Sequence, residues 1–348
     1  MSKQNVSIEF HYREKLVAVK PRPNILPGVL LSLALAAVAS LMGGYIPLIG
    51  GPVFGVIIGI IANNLWTIPD AFRPGIIFTS KKILQAAIVV LGAGMSLGQV
   101  WQTGIDSLHV MLFTISSAFI ATYLFGSLMG VPFNLKTLVG TGTAICGASA
   151  IAAITPVVKA DDNEVAYAIS TVFLFNIIAV LLFPLLGHLL GFSDTAFGLL
   201  AGTAINDTSS VVAAGYAFSP AAGAYATIVK LTRTTMIIPI ALILSLVLRN
   251  RHVGKGTTFN VVNIIPWFVI WFLVAALLNT AGLFTAPMIS WFNSTGHFLI
   301  VVALVAVGLG ADLKKMLATG LKPLLLGLIV WVVVIVTSIV VQVLTGKI

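Results

Sequence analysis

The sequence predicts an all-α, polytopic membrane protein, and three observations lead to this prediction. Of the 348 residues, 59% are hydrophobic and only 8% are charged, whereas a soluble domain carries about 25% charged residues. The mean hydropathy is +1.09. The apolar runs are continuous, while the strands of a membrane β-barrel would alternate in polarity.

An α-helix needs about 20 apolar residues to cross a membrane. By that measure we predict eleven segments, at residues 25–42, 46–65, 82–98, 107–130, 137–158, 164–190, 195–217, 222–248, 261–281, 296–312 and 321–345. Residues 1–24 form a predicted cytoplasmic N-terminal segment, and residues 25–348 form a single transmembrane domain. The first apolar run has no clear cleavage site after it, so we interpret it as a retained helix.

The basic residues predict the orientation, because cytoplasmic loops are rich in Lys and Arg. With the N-terminus in the cytoplasm, fifteen basic residues fall inside: Lys3, Arg13, Lys15, Lys20, Arg22, Arg73, Lys81, Lys82, Lys136, Arg249, Arg251, Lys255, Lys314, Lys315 and Lys322. Lys159 and Lys347 fall outside, and Lys230 and Arg233 fall within a helix. The net charge of +9 is therefore explained by orientation, and we expect no nucleic-acid partner.

Several other functions lack support in the sequence. The single Cys146 excludes an internal disulfide and a multi-cysteine metal site. Walker, Ser-His-Asp and zinc motifs are absent from the sequence, so we expect neither an enzyme nor a resident cofactor or metal. The amides Asn63, Asn64, Gln85 and Asn176 are weak signals, since single membrane amides often only join helices.

An internal repeat at an offset of 216 residues predicts inverted topology. Residues 89–108 and 305–324 share three glycines, two leucines and a threonine in register, and Asn63 and Asn279 fit the same offset. The predicted third and tenth segments run in opposite directions, as in the inverted repeats of many secondary transporters. The repeat-related stretches are about 46–130 and 261–346; chance similarity of Gly- and Leu-rich helices is the alternative.

A second similarity joins two polar stretches 60 residues apart, both containing Gly-Thr-Ala-Ile. Glycine and hydroxyl residues weaken a helix, so we predict two discontinuous helices. The N-terminus of a second half-helix carries free N–H groups and binds anions. If both segments span the membrane they run in the same direction; if both are re-entrant hairpins their directions oppose. The sequence leaves this choice open.

The candidate substrate-binding residues come from these two stretches and from one basic pair: Gly142, Thr143, Cys146, Gly147, Ser149, Gly202, Thr203, Asn206, Thr208, Ser209, Lys230 and Arg233. Lys230 and Arg233 are three residues apart, so they share a helix face near the membrane midplane. Arg suits an oxyanion and Lys supplies a point charge. Close packing of small residues is the alternative for the glycine stretches, and snorkelling is the alternative for the basic pair.

Asp207 is the carboxylate that we place deep in the membrane. Such a residue is a candidate coupling site for a proton or sodium ion, with Asn206 beside it. A structural ion pair between Asp207 and Lys230 or Arg233 is the alternative.

Residues 140–176 and 201–234, with their Gly-Thr-Ala-Ile-Cys-Gly-Ala-Ser and Gly-Thr-Ala-Ile-Asn-Asp-Thr-Ser-Ser motifs, resemble the YeiH-like family of bacterial membrane proteins. That family is described as sulfate exporters and is grouped with cation:proton antiporters and anion transporters. It is also similar to the bile-acid:sodium symporters, and Gly94-Met95-Ser96-Leu97 matches their Gly-Met-x-Leu. The resemblance implies an inverted-repeat transporter of the bacterial inner membrane, an elevator motion, a homodimer, and a sulfur-containing anion.

We therefore expect a secondary transporter of a small inorganic or organic anion that works within membrane lipid by alternating access. In the alternative, a cation:proton antiporter, Asp207 is the ion site and a basic residue is its counter-charge. A channel predicts polar residues along a whole pore, whereas these concentrate at one depth. A membrane enzyme needs a catalytic constellation, which the sequence lacks.

Overall fold

The computed structural model describes residues 24–46, 50–66, 68–248, 267–317 and 320–348, and every regular element in those ranges is helical. The first part contains α1 (Leu26–Tyr45), α2 (Gly50–Leu65), α3 (Asp70–Gly92) and α4 (Leu97–Leu128). The middle contains α5 (Phe133–Ala144), α6 (Ala148–Val158), α7 (Asp162–Leu189), α8 (Asp194–Ala204), α9 (Thr208–Phe218), α10 (Pro220–Thr235) and α11 (Ile237–Leu248). The last part contains α12 (Trp267–Thr280), α13 (Ala286–Leu309), α14 (Leu313–Leu317) and α15 (Leu321–Leu344). The all-α prediction is confirmed.

Within the described ranges, seven helical stretches are long and apolar enough to cross a membrane. They are α1, α3, α4, α7, Pro220–Leu244, α13 and α15, while α2 and α12 are shorter apolar helices. Three predicted starts are wrong: α3 begins at Asp70 and not at residue 82, α4 at Leu97 and not at 107, and α13 at Ala286 and not at 296. As a result Lys81 and Lys82 lie inside a helix. A π-helical stretch, Thr79–Ile83, carries both lysines to the surface. The predicted cytoplasmic segment 1–24 lies outside the described residues, apart from Asn24.

The polar stretch around Asn206 is the tip of a helical hairpin formed by α8 and α9, which we call hairpin 2 (residues 194–218). Phe197 near the start of α8 stacks on Phe218 at the end of α9, with ring centroids 4.0 Å apart. Ser219 Oγ donates to Asp194 Oδ1 at 2.5 Å. Each arm has 11 residues, about 16 Å and thus roughly half of a bilayer core. The chain therefore enters and returns on one side.

The other polar stretch is the tip of hairpin 1 (residues 133–158), formed by α5 and α6. Asn134 Nδ2, at the start of α5, donates to Glu164 Oε2, just beyond the end of α6 (3.2 Å). Gly142 of α5 packs on the side chain of Ile151 of α6. Glu164 also completes a capping box with Asp161 that starts α7. The two arms of hairpin 1 thus lie side by side.

The two hairpins approach from opposite ends of α7. The base of hairpin 1 lies at the first turn of α7, while at its other end His188 stacks on Phe218 of hairpin 2 at 4.2 Å. The tips meet midway, where Gly147 lies against the backbone of Asn206. The predicted discontinuous helices are confirmed, and they are hairpins of opposed direction.

The 216-residue repeat is visible in the helices and in reciprocal contacts. Adding 216 to the bounds of α3, residues 70–92, gives 286–308, and α13 spans Ala286–Leu309. Asn63 Nδ2 donates to Ala311 O (3.0 Å) and Asn279 Nδ2 donates to Met95 O (3.1 Å), so each half holds the other through equivalent atoms. Such exchange of equivalent contacts is the mark of two-fold symmetry. The helix directions make it an inverted repeat, as predicted.

Buried apolar side chains separate the molecule into two bodies. One core belongs to α4–α11 and α15, which include both hairpins; we call this the hairpin body. A second core belongs to α1, α2, α3 and α13, and with α12 these helices form the scaffold body. A third cluster joins the bodies, with Val212 and Ala213 of α9 packing near Val53 and Leu304 of the scaffold. Hairpin 2 therefore lies at the boundary between them.

Candidate functional site

The centre of the candidate site is the place where both hairpin tips meet one face of α10. Lys230 and Arg233 lie one turn apart on that helix, and both are fully buried (0% exposed). Charged side chains are expensive inside a membrane protein and persist where they are paired with charges or carbonyl groups. The identity of their partners therefore defines the site.

Arg233 joins the ends of the first arms of both hairpins. On hairpin 1, its Nε donates to Ala144 O at 2.9 Å and its Nη2 donates to Thr143 O. On hairpin 2, its Nη1 donates to Ile205 O at 3.2 Å and to Gly202 O at 3.4 Å. One guanidinium thus closes both helix C-termini, where the helix dipole is negative.

Lys230 repeats this bridge one turn earlier. Its Nζ donates to Ile145 O at 2.8 Å and to Ile205 O at 3.2 Å. We predicted that Lys230 and Arg233 contact a bound anion directly. In the structure two of the three Lys230 donors and four of the five Arg233 donors contact the chain. They do so because the carbonyls of two interrupted helices are buried and require hydrogen-bond partners.

The carbonyls at the end of α5 are accounted for one by one. Thr141 O accepts from Ile145 N at 3.1 Å, and Gly142 O accepts from Gly147 N at 2.9 Å. The carbonyls of residues 143 and 144 accept from Arg233, and that of residue 145 accepts from Lys230. On α8, Trp331 of α15 donates its Nε1 to Ala204 O at 3.1 Å. The carbonyls at the end of α5 and those of Gly202, Ala204 and Ile205 on α8 therefore have hydrogen-bond donors from the chain itself.

The second arms begin differently in the two hairpins. In hairpin 2, Asp207 is the N-cap of α9: its Oδ2 accepts from Ser209 N at 2.9 Å, from Ser210 N at 3.4 Å and from Ser209 Oγ. In the part of the chain that the structure describes, Asp207 forms no ion pair with Lys230 or Arg233. The alternative of a structural ion pair is thus not supported.

In hairpin 1, the N-terminus of α6 is open. Its N-cap is Gly147, whose φ of +68° favours glycine and which has no side chain to cap the helix. The buried Cys146 thiol is bonded to the Ala150 N–H, which leaves the N–H groups of Ala148 and Ser149 in the first turn. Ala148 and Ser149 in the first turn are exposed. The structure thus presents one helix N-terminus without a carboxylate or hydroxyl cap beside one that already holds a carboxylate.

Asn206 lies between these two starts. It is 1% exposed, and both atoms of its side-chain amide are without a hydrogen-bond partner among the described residues. Buried amides are nearly always bonded, so an unpaired one requires an explanation. Thr208, next to Asp207, is half-buried, and the backbone of Asn206 lies against Gly147, the N-cap of α6.

Other predicted residues have structural roles. The Thr203 hydroxyl donates to Leu199 O at 2.7 Å and lies 2.8 Å from Ser338 Oγ of α15, so it is not directed at a ligand. Gly142 and Gly202 permit close packing inside α5 and α8. Cys146 is buried at the turn of hairpin 1.

Asn176 is the residue whose importance the sequence understated. From the middle of α7, its Oδ1 accepts the N–H groups of Asn206 at 2.8 Å and Asp207 at 3.3 Å, and so holds the tip of hairpin 2. In the sequence, only its position within an otherwise apolar segment indicates that Asn176 has a structural or functional role. Nothing in the sequence indicates that Trp331 contacts hairpin 2, because tryptophan is common in membrane helices.

Hairpins of opposed direction, an inverted repeat and buried charges at their junction define a multi-pass membrane protein with a polar centre. The chain belongs to the family described as conserved hypothetical protein 698, whose model matches residues 27–327.

Curated relatives cover the chain almost completely. The UPF0324 membrane protein SAG1125 of Streptococcus agalactiae is 44% identical over 329 residues, 92% of this chain and 98% of the relative. The UPF0324 membrane protein FN0533 of Fusobacterium nucleatum is 41% identical over 343 residues, 93% and 99% of the two chains. Neither name states a substrate, so the sulfate-exporter resemblance stays a prediction.

Among solved structures, the sodium proton antiporter MjNhaP1 from Methanocaldococcus jannaschii is similar over 91% of this chain and 95% of its own. The identity is 15% and the TM-score is 0.29.

Proposed function

We propose that the protein is a secondary transporter of a small anion, with a sulfur oxyanion or a sulfonate as the substrate class. The observation that carries the proposal is the charge at the junction of the hairpins. Lys230 and Arg233 bring two positive charges, and Asp207 brings one negative charge. The two helix C-termini and the two N-termini at the junction contribute roughly half a charge each, of opposite sign. About one positive charge is left uncompensated, which favours an anion.

The proposed anion site is the open N-terminus of α6. The backbone N–H groups of Ala148 and Ser149 and the Ser149 hydroxyl are donors, and the unpaired Asn206 amide adds another. An oxyanion accepts several such bonds at once. Lys230 and Arg233 act at a distance: they fix both hairpins and supply the positive field.

The two bodies support alternating access. Because Arg233 and Lys230 bond both hairpins, the tips are tied together and move as one unit with α10. At hairpin 2, the boundary with the scaffold body consists of apolar contacts such as those of Val212 and Ala213. At the start of α4, next to the covalent link between the bodies, the Leu97 N–H donates to Thr280 Oγ1 of α12 at 2.7 Å. Apolar surfaces can slide without breaking hydrogen bonds. Relative motion of the bodies would expose the site to each side in turn.

The hairpins also strengthen the proposed orientation. A hairpin returns to the side from which it entered, so Lys159 joins the fifteen basic residues that we assign to the cytoplasm, and Lys347 alone stays outside. We place the protein in the bacterial inner membrane with its N-terminus in the cytoplasm.

The test is flux in proteoliposomes that contain the purified protein. We expect uptake of labelled sulfate, sulfite or a taurine-like sulfonate above that of empty vesicles, with saturation. Sodium or proton exchange without any anion flux would contradict the proposal and favour the antiporter.

One observation favours the antiporter as a second candidate: Asp207 is a half-exposed carboxylate beside an unpaired amide. Asp207→Asn distinguishes the roles, since Asn caps a helix about as well as Asp. We expect the variant to fold and to lose any pH or sodium dependence, while anion flux continues. In an antiporter the same variant loses exchange altogether. Unchanged ion dependence would exclude Asp207 as the coupling group.

A further inference from the structure

A second polar cavity lies in the scaffold body, away from the hairpins. Its volume is about 440 Å³, and it opens where α2 ends, α3 begins and α13 ends. Asn63 and Asn64 form part of its wall, and both donate an amide N–H to Ala311 O at 3.0 Å. These hydrogen bonds fix both side chains, and the amide oxygen of each can accept a hydrogen bond from a ligand.

Two cations line this cavity, Arg73 and Lys314, together with one carboxylate, Asp312. Arg73 Nε is bonded to Asp70 Oδ1 at 2.8 Å. A guanidinium has five N–H donors in a planar fork suited to phosphate, so its outer edge can bind a ligand while the inner edge is held. Lys314 is exposed and adds a second point charge.

The wall changes from polar to apolar across the cavity. Ile77 and Leu309 belong to the lining, and Ile77 is 56% exposed. Trp66, at the cavity, is 77% exposed, and tryptophan prefers the membrane–water interface. The cavity thus combines two cations, their neighbouring carboxylates and hydrogen-bonding amides with an apolar rim. That combination matches an amphiphile rather than a free ion.

We propose that this cavity binds the headgroup of an anionic glycerophospholipid. The phosphate lies between Arg73 and Lys314. The free hydroxyls of a headgroup glycerol, as in phosphatidylglycerol, donate to the amide oxygens of Asn63 and Asn64, and an acyl chain follows Ile77. The end of the molecule concerned is the one that the basic residues assign to the cytoplasm, where anionic lipids attract Lys and Arg.

The experiment measures binding of phosphatidylglycerol to the purified full chain, by native mass spectrometry and by the rise in thermal midpoint on lipid addition. The variants are Arg73→Gln/Lys314→Gln and the control Lys322→Gln, an exposed lysine that does not line the cavity. Phosphatidylcholine and soluble glycerol 3-phosphate are separate arms. They distinguish a charge-selective lipid site from a general lipid site and from a phosphate site.

We expect phosphatidylglycerol to bind and stabilise the wild type and Lys322→Gln, with about 30-fold weaker affinity for the double variant, since each basic residue contributes about a factor of five. Phosphatidylcholine should bind weakly to all three. Equal binding of phosphatidylglycerol by the double variant, or equal binding of phosphatidylcholine by the wild type, overturns the proposal. Binding of glycerol 3-phosphate as tight as that of the lipid overturns the lipid assignment. None of these outcomes depends on transport.

Discussion

At the scale of single residues, Arg233 shows why charge alone does not reveal a role. Its depth and its spacing from Lys230 can be predicted from the sequence, and the structure buries both completely. The partners cannot be predicted, because they are backbone carbonyls about 30 and 90 residues earlier in the chain. Backbone carbonyls leave no trace in a sequence. The same applies to Asn176, whose bonds go to backbone N–H groups.

Replacing Arg233 by Met should therefore destabilise the fold. The variant keeps the volume but leaves buried carbonyls of both hairpins without donors, and breaking a buried charged network costs about 3–5 kcal/mol. We expect a marked fall in the thermal midpoint of the protein in detergent. Arg73→Met, at a side chain that is 65% exposed, is the control and should change it little. Equal midpoints for the two variants would show that Arg233 does not hold the hairpins.

At the scale of elements, the sequence predicts where the helices break but not how the chain continues. Gly147 and Asp207 mark the breaks. A stretch of 22 residues, such as 137–158, is long enough to cross the membrane once or to enter half-way and return. The choice is made by contacts outside the stretch, such as that between Asp194 and Ser219. In the sequence, Asp194 is an ordinary acid in a first helical turn and Ser219 is an ordinary N-cap.

Cysteine cross-linking tests hairpin 2 directly. In a Cys146→Ala background, which has no other cysteine, Asp194→Cys and Ser219→Cys should form a disulfide under mild oxidation, because the native side chains are hydrogen-bonded. Asp194→Cys with Thr208→Cys is the matched control and should not. If α8 and α9 formed one spanning helix, residues 194 and 219 would be about 35 Å apart. Failure of Asp194→Cys and Ser219→Cys to cross-link would therefore contradict the hairpin.

For the whole molecule, the 216-residue repeat could be predicted because a small set of residues recurs at that offset without a shift in register. Asn63 and Asn279 are equivalent in sequence, and the structure shows why: each holds the opposite half through the same bond. The division into hairpin and scaffold bodies could not be predicted. Equally apolar helices, such as α3 and α4, belong to different bodies and look alike in composition.

The hairpins change the predicted sides of two loops, the one between α6 and α7 and the one between α7 and α8, and the first of these can be tested by labelling. We expect Asp162→Cys, in a Cys146→Ala background, to react with a membrane-impermeant thiol reagent from the cytoplasmic side. Lys322→Cys should label from the same side, and Ile348→Cys from the opposite side. Labelling of Asp162→Cys together with Ile348→Cys would mean that residues 137–158 cross the membrane.

If an anion binds at the open N-terminus of α6, Ser149→Asp should block that site. A carboxylate there would fill the site as Asp207 fills the start of α9, and an acid in a first helical turn stabilises by about 0.3–1 kcal/mol. The measurement is sulfate, sulfite or sulfonate flux in proteoliposomes, with Ser149→Asn as the matched neutral variant. We predict that Ser149→Asp loses flux while its thermal midpoint is kept or raised, and that Ser149→Asn retains flux. Flux through Ser149→Asp equal to that of the wild type would contradict the account.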